Sequence, residues 1–395
     1  MKFIKINYDI LSILGDRINN MYKNSVHDQA PQFRSRAFSG RSLMIRVAGT
    51  VFWFVLCGPV FSQTDTPQSP LFATEDILEI RLSGNVRSLM DERTPDSKYY
   101  PLTLSYQDNG NSFKVPVKVK TRGHFRLDRA NCTYPPLMLN FSKKTELPAP
   151  FTNQDKIKLV TPCRTEKYVV QEYLVYKLYN LVTPKSLKAR LARVVYDDTV
   201  KGKTTQPLYG ILLEDDDDMA SRNGAIVAEK KIVRPETAHR SDFLKMAVFE
   251  YLIGNTDWSV QYLQNIKLIA KDSISVRSTV AYDFDHAGIV DAPYAKPAPE
   301  LMLASTSTRR YRGFCVDDMT AFKEVFAFYN ELKEKIYGVY SGNPLLDEKY
   351  IKATLKFLDD FYVTINDPKK AQKEFLYPCE KSGTGNVVIK GLQNN

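Results

Sequence analysis

The first half of the chain alternates apolar and polar residues in short runs, with the two-residue period of half-buried β-strands. Such runs begin at residues 77, 100, 112, 135, 156, 188 and 207. The third run is the clearest, because its valines at 115, 117 and 119 share one face and its lysines at 114, 118 and 120 share the other. This pattern predicts an antiparallel sheet with one solvated face.

Helical periodicity interrupts the strands and then replaces them. Apolar residues spaced three and four apart predict helices over 166–182 and 241–255, with Ser241 as the N-cap and Gly254 as the end of the second helix. Two more amphipathic helical segments follow residue 316. The order of strands, helix, strands, helix, acidic hairpin and helices indicates the α+β class, with its β-rich part first.

Residues 44–62 have the order of a secretory signal: a positive start, an apolar run over 47–56 and small residues before Gln63. We therefore expect residues 1–62 to be a leader, residues 63–76 a linker, and the protein to be exported to the periplasm or the cell surface. The alternative is that the apolar run anchors the chain. Once the leader is removed, no stretch has the roughly 18 apolar residues that a membrane-spanning helix needs.

The distribution of charge along the chain argues against a nucleic-acid partner. The net charge is +10, but residues 1–62 contribute eight Lys and Arg against three Asp, a net of +5. The remaining 333 residues therefore carry only +5 and contain no basic aromatic module. The 43% hydrophobic content is sufficient for a packed core.

Four cysteines follow the leader: Cys132, Cys163, Cys315 and Cys379. In an oxidising compartment an even number predicts two disulfides, for which three pairings exist. We favour Cys132 with Cys163 and Cys315 with Cys379, since each pair joins neighbouring segments; isolated buried thiols are the alternative. Their spacing is not that of a zinc site.

Four oxygen-bearing side chains surround one predicted hairpin: Asp257, Asn265, Asp283 and Asp285. Residues two apart on a strand share a face, so Asp283 and Asp285 are expected to point together at one cation. Mg²⁺ prefers carboxylate and amide oxygens, and Asn265 offers the amide. Asp257, in the loop after a helix, is placed to accept a proton. The alternative is that these residues only cap turns.

The order of several blocks resembles that of the CotH-type spore-coat kinase family over roughly residues 115–315. The blocks are TRGHFR, KIKLVTPC, EYLVYKLYNL, YGILLEDDDDMASR, GNTDW, QNIKL and YDFDHAG. The resemblance implies a two-lobed protein-kinase-like fold, with a β-rich N-terminal lobe over 77–215 and a largely helical C-terminal lobe over 216–395. It also implies transfer of the γ-phosphoryl group of ATP, with Mg²⁺ or Mn²⁺, to a hydroxyl of a protein or glycan.

The same resemblance assigns roles to residues. Asp257 is the catalytic base or the acid that positions the hydroxyl, and Asp283, Asn265 and Asp285 are metal ligands, with Gln264 as an alternative to Asn265. The nucleotide-binding residues are Lys158, with Glu172 as its ionic partner, Glu214 at a hinge where the base docks, and Arg122 and Gly123 in a loop that covers the phosphates. Lys156 competes with Lys158 for its role.

Two charged segments are predicted to be solvated surface: the acidic run 214–218 and the arginines at 309, 310 and 312. The arginines alternatively bind an acidic or phosphorylated partner. Two other functions stay open for the protein. It is either a binding protein that keeps a kinase-like scaffold without turnover, or a hydrolase that uses the same acids to activate water through a metal.

Overall fold

A computed structural model describes residues 69–144, 146–228 and 234–376. The predicted signal peptide, the start of the linker and Cys379 lie outside the described residues. Within them, the chain forms a β-barrel, a small second sheet and a group of helices.

Seven strands of the first sheet close into a barrel in the order β1-β2-β3-β4-β5-β8-β6, with β6 returning to β1. Neighbouring strands are antiparallel except β1 and β6, which are parallel. A short strand, β7, pairs antiparallel with the end of β6. The strands are β1 Leu78–Gly84, β2 Tyr100–Asp108, β3 Asn111–Thr121, β4 Leu137–Asn140, β5 Lys156–Val160, β6 Ala189–Asp198, β7 Lys203–Thr204 and β8 Leu208–Leu213.

This barrel shows that the expected two-lobed kinase fold is wrong, because a closed barrel is not the open sheet of a kinase N-terminal lobe. The described chain is instead a mixed α and β fold. Closure depends on the pairing of Leu78 with Ala192 and of Gly84 with Asp198. These partners are more than a hundred residues apart, so no local pattern of apolar residues reports that they meet.

The strand predictions themselves are confirmed. Along β3, Val115, Val117 and Val119 are buried in the barrel interior, while Lys114 and Lys118 are exposed. The interior is filled by aliphatic and aromatic side chains from all seven strands. Burying one such aliphatic side chain contributes about 1.5–3 kcal/mol, which makes this layer the main source of barrel stability.

Eight helices are present in the described part of the chain. The predicted helix over 166–182 is confirmed, and it packs against β6, β8, α4 and α6. The predicted helix over 241–255 begins one residue earlier, because His239 and not Ser241 is its N-cap, and it ends at Gly254 as expected. The helices are α1 Val86–Asp91, α2 Glu166–Val182, α3 Asp216–Arg222, α4 Arg240–Ile253, α5 Lys323–Glu331, α6 Lys333–Tyr340, α7 Glu348–Asn366 and α8 Pro368–Phe375.

A second, three-stranded sheet has the order β11-β10-β9, with β9 Ile226–Val227, β10 Ile266–Ala270 and β11 Ser278–Ala281. Its antiparallel β10–β11 pair confirms the predicted hairpin. At the end of this pair, the N–H of Tyr282 donates to the carbonyl of Asn265 at 3.1 Å. The sheet therefore brings the segment after Ala281 beside the start of β10.

One of the two favoured disulfides is confirmed: Cys132 and Cys163 are bonded, which ties the segment before β4 to the segment after β5. Cys315 is also disulfide-bonded, and its predicted partner Cys379 lies outside the described residues. Across the ranges that the structure describes, none of the helices combines the length and apolar character needed to cross a membrane.

Candidate functional site

A cleft of about 640 Å³ lies between the barrel and the three-stranded sheet. Its volume is in the range of small-molecule binding sites, roughly 300–1,000 Å³. Seven of the nine predicted site residues line it: Arg122, Gly123, Lys158, Asp257, Asn265, Asp283 and Asp285. Gln264, the alternative to Asn265, also lines it.

The acids at 283 and 285 follow β11 and do not lie on it. The strand ends at Ala281, and Asp283 has a left-handed backbone with φ of 64°. The prediction that both acids share one strand face is therefore wrong. The reason is conformational: a left-handed residue breaks the extended chain, and Asp and Asn tolerate that conformation better than most residues. The turn still directs both acids into the cleft.

Helix α2 holds this turn in place. The N–H of Asp283 donates to the Tyr176 hydroxyl at 3.0 Å, and the N–H of Ala281 donates to the Tyr179 hydroxyl at 3.3 Å. Phe284 is fully buried and packs edge-on against Tyr176, with ring centroids 4.9 Å apart. The aromatic residue between the two acids is thus an anchor for the turn.

Asp257 and Asn265 meet although they are eight positions apart. The side-chain Nδ2 of Asn265 donates to the backbone carbonyl of Asp257 at 2.8 Å and to its Oδ2 at 3.1 Å. With both amide protons directed at Asp257, the Oδ1 of Asn265 is the atom left to accept or to ligate.

Arg312 holds the loop that carries Asp257, and Arg309 holds the preceding helix α4 against α7, although the sequence placed both arginines on the surface. Arg312 is buried, and it donates to the carbonyls of Thr256 and Trp258, the residues on either side of Asp257. Arg309 donates to the carbonyls of Leu252 and Phe357. The surface prediction is wrong for both arginines, since each of them satisfies main-chain acceptors inside the fold.

Burial and repulsion from neighbouring carboxylates raise the pKa values of Asp283 and Asp257. The pKa of Asp283 rises to about 6, because of burial and then the adjacent Asp285 carboxylate, while Arg126 and Arg122 act in the opposite direction. Burial also raises the pKa of Asp257, against the influence of His286. Closely spaced buried acids of this kind favour the arrival of a cation or a proton.

Arg126 is a site residue that the sequence analysis missed. Its side chain is 10% exposed and lies 3.5 Å from Asp285, 3.8 Å from Glu172 and 3.4 Å from the Tyr294 hydroxyl. Glu172 itself is 1% exposed and is not among the residues that line the cleft. Arg126 closes the TRGHFR block, but only the folded chain shows that this loop reaches helix α2.

The expected ion pair between Lys158 and Glu172 is replaced by a different one. Lys158 Nζ lies 2.6 Å from Asp216, and Lys267 Nζ lies 3.0 Å from the same carboxylate. Although burial raises the pKa of Asp216, the two lysines hold it below its usual range. Asp216 belongs to the acidic run that was expected to be solvated, and this prediction is wrong for it. Lys156 is exposed, so it does not replace Lys158.

Glu214 has a structural role. It is 3% exposed and accepts hydrogen bonds from Arg222 at 2.8 Å and from the N–H of Lys188 at 2.9 Å. Its side chain is not among the residues that line the cleft, so the predicted docking of a base at Glu214 stays a prediction. Its neighbour Leu213 does line the cleft, within an aliphatic wall formed by Val160, Leu213, Val227, Ala228 and Leu268.

The acids fit a divalent cation only in part. In residues 69–144, 146–228 and 234–376, no group of three or more His, Cys, Asp and Glu is arranged to hold a metal ion. Asp283, Asp285 and the Oδ1 of Asn265 nevertheless form a set of hard oxygen donors. Mg²⁺ commonly binds one or two carboxylates and completes its shell with water and substrate phosphates, so this set suits Mg²⁺ together with a phosphorylated ligand.

Position 288, at the end of the YDFDHAG block, must be a glycine because two stretches of main chain approach closely there. A Cβ at this position would lie 2.3 Å from the carbonyl oxygen of Thr306. We expect Gly288→Ala to destabilise the protein by about 1–3 kcal/mol, because main chain has to move to admit the methyl group. Thermal unfolding measures the loss.

Gly338 provides the matched control for Gly288. It lies within α6, and an added Cβ would contact nothing within 4 Å. Gly338→Ala should leave stability unchanged or raise it by up to about 1 kcal/mol through helix propensity. Equal effects at the two glycines would contradict the role given to Gly288.

No protein-family model matches the sequence, and no curated protein matches it either. The likeness to the CotH-type family therefore stays a prediction from the sequence, and the two-lobed fold that it implied is wrong. A function for this protein has to be argued from the chemistry of the cleft.

Proposed function

We propose that the protein is an exported phosphotransferase that moves the γ-phosphoryl group of ATP, with a divalent metal, to an acceptor hydroxyl. One observation carries the proposal: a single cleft contains the cations Arg122, Lys158 and Lys267 together with the oxygen donors Asp257, Asn265 and Asp283. The proposal rests on this site and not on a kinase fold.

The three cations suit the phosphates of the nucleotide. Lys158 and Lys267 share Asp216, and Arg122 is near enough to both lysines to influence their pKa values. Repulsion among three positive groups is relieved by a polyanion, and charge-assisted hydrogen bonds to phosphate are among the strongest in proteins. Gly123 has φ of 94° and no neighbour within 4 Å of an added Cβ, so its main chain faces the cleft without a side chain to cover it.

The aliphatic wall suits the nucleotide base. Its members come from both sides of the cleft: Val160 and Leu213 from the barrel strands β5 and β8, and Val227 and Leu268 from the three-stranded sheet, with Ala228 directly after β9. A flat apolar ring held between two such surfaces buries most of its area, which is the usual way that small-molecule sites gain affinity.

Asp283, Asp285 and Asn265 would hold the metal. A bound Mg²⁺ or Mn²⁺ supplies electrostatic stabilisation of the charge that develops on the transferred phosphoryl group. Two hydrogen bonds within the protein hold these groups in position. The Tyr176 hydrogen bond fixes the turn at Asp283, and the amide of Asn265 fixes Asp257.

Asp257 is placed to accept the proton of the attacking hydroxyl. In the transfer, a bond forms between the acceptor oxygen and the γ-phosphorus, and the bond from this phosphorus to the bridging oxygen of ADP breaks. The hydroxyl proton passes to Asp257. Burial raises the pKa of Asp257, which makes its carboxylate a stronger base than a solvated one. The Cys132–Cys163 disulfide supports the export part of the proposal, since disulfides persist in oxidising compartments.

Binding of ATP to the purified protein tests the proposal. Calorimetry should detect ATP binding that depends on Mg²⁺ or Mn²⁺ and disappears with EDTA. Lys267→Met should weaken ATP affinity about tenfold, because it removes one charge-assisted hydrogen bond and keeps the aliphatic stem. Lys271→Met, at an exposed position on the same hairpin, is the control. Metal-independent binding, or equal losses in the two variants, would contradict the proposal.

A second candidate is a protein that binds the nucleotide without turnover. The observation in its favour is Arg126, whose guanidinium already neutralises Asp285 and Glu172 where a metal would otherwise do so. Release of ADP separates the two candidates. Tight ATP binding with no ADP formed in the presence of Mn²⁺ would favour the second.

A further inference from the structure

Three aromatic rings form a cluster at the mouth of the cleft. Phe125 lies 5.6 Å from His286 and 5.9 Å from Tyr294, and His286 lies 5.8 Å from Tyr294, between ring centroids. We call this set the aromatic triangle. Phe125 is 42% exposed, whereas the other two rings are half-buried. An exposed aromatic ring packed on two further rings beside a polar cleft gives an apolar surface on which the face of a ligand can stack.

The aromatic triangle is continuous with the proposed transfer site. Phe125 and His286 line the cleft beside Asp285, and His286 is near enough to Asp257 to lower its pKa. The hydroxyl of Tyr294 is held by Arg126, the same side chain that pairs with Asp285. A ligand resting on these rings therefore lies next to the residue that takes the acceptor proton.

We infer that the aromatic triangle is the acceptor subsite and that the acceptor is a saccharide. This inference rests on the proposed function. A sugar ring has an apolar face of C–H groups, which stacks on aromatic rings, and a rim of hydroxyls. That rim meets the carboxylate of Asp257 and the amides of Gln261 and Gln264, which line the same cleft.

A peptide acceptor fits the cleft less well than a saccharide does. Extended peptides are commonly bound by adding a strand to a free sheet edge. The strands β5, β8 and β10 border the cleft, and each of them already has a neighbouring strand on both sides. The edge strand β9 also borders it through Val227, but β9 is only two residues long, which leaves little main chain for pairing with a peptide. The described cleft residues on these strands offer side chains to a ligand, and not a row of unpaired main-chain groups.

Saturation-transfer NMR on the purified protein tests the inference. The probes are methyl β-glucoside, methyl β-galactoside and N-acetylglucosamine, with N-acetylserine amide and N-acetylthreonine amide as peptide mimics and AMP as the base probe. We expect saturation of ring protons for at least one sugar. We expect Phe125→Ala to reduce it about fivefold, the magnitude of an aromatic contact. Tyr99→Ala is the matched control, because Tyr99 is 37% exposed on the barrel and does not line the cleft.

The outcomes are separable. No sugar signal, a signal from the serine or threonine amides alone, or a sugar signal that survives Phe125→Ala would each overturn the inference. So would a fall in AMP binding for Phe125→Ala as large as the fall for the sugar, since the aromatic triangle would then hold the base. A sugar signal that depends on Phe125 in a protein that binds no ATP would support the saccharide site and remove the phosphotransferase proposal.

Discussion

Asp257→Asn should lower ADP formation by roughly 10²- to 10⁴-fold, the usual contribution of a positioned general base. The substitution keeps the shape of the side chain, and the hydrogen bond from the Asn265 amide can be kept by the new amide oxygen. ATP affinity should therefore change little. A coupled assay for ADP and calorimetry for ATP measure the two quantities on the same preparation.

Asp360→Asn is the matched control for this variant, because Asp360 is exposed on α7 and does not line the cleft. Turnover in the unmodified protein should also fall as the pH is lowered through the raised pKa of Asp257, because the base must be unprotonated to accept a proton. Full turnover in Asp257→Asn would exclude this residue as the base.

Local structure in this protein is readable from local sequence. The valine and lysine alternation of β3 reports one buried face because side chains on a strand alternate. The apolar spacing over 166–182 gives α2 with its observed ends. Each of these features depends on a single segment of the chain. Closure of the barrel is a relation between β1 and β6, and it converts an expected open sheet into a different fold without changing any segment.

The candidate site, too, could be predicted from the sequence only in part. The sequence indicates which residue types supply the chemistry, and Asp257, Asn265 and Asp283 do line one cleft. It does not indicate which charges pair. Lys158 pairs with Asp216 because α3 begins directly after β8, and Glu172 pairs with Arg126 because a barrel loop reaches α2. Such pairings depend on packing between elements, and a linear motif cannot encode them.

Replacing Arg126 tests the contact between the barrel loop and α2. We expect Arg126→Met to destabilise the fold by about 3–5 kcal/mol, the cost of removing one partner of a buried ion pair. Glu172 would keep its burial and lose its counter-charge. Burial raises the pKa of Glu172, and Arg126 opposes that rise. Without the arginine the folded-state pKa rises further, so the carboxyl must bind a proton to stay buried. The loss of stability should therefore grow as the pH is raised above the ordinary carboxyl pKa.

The double variant Arg126→Met with Glu172→Gln separates charge from packing. It removes the charges of Arg126 and Glu172, and Gln keeps the shape of Glu172. Asp285, the other carboxylate beside Arg126, loses the arginine in both variants, so the difference between them reports on the buried charge of Glu172. Urea unfolding at low and neutral pH should show the double variant more stable than Arg126→Met and with a weaker dependence on pH. Equal stability of the two variants at both pH values would mean that Arg126 contributes through its aliphatic contacts, and that the buried charge of Glu172 is not what it compensates.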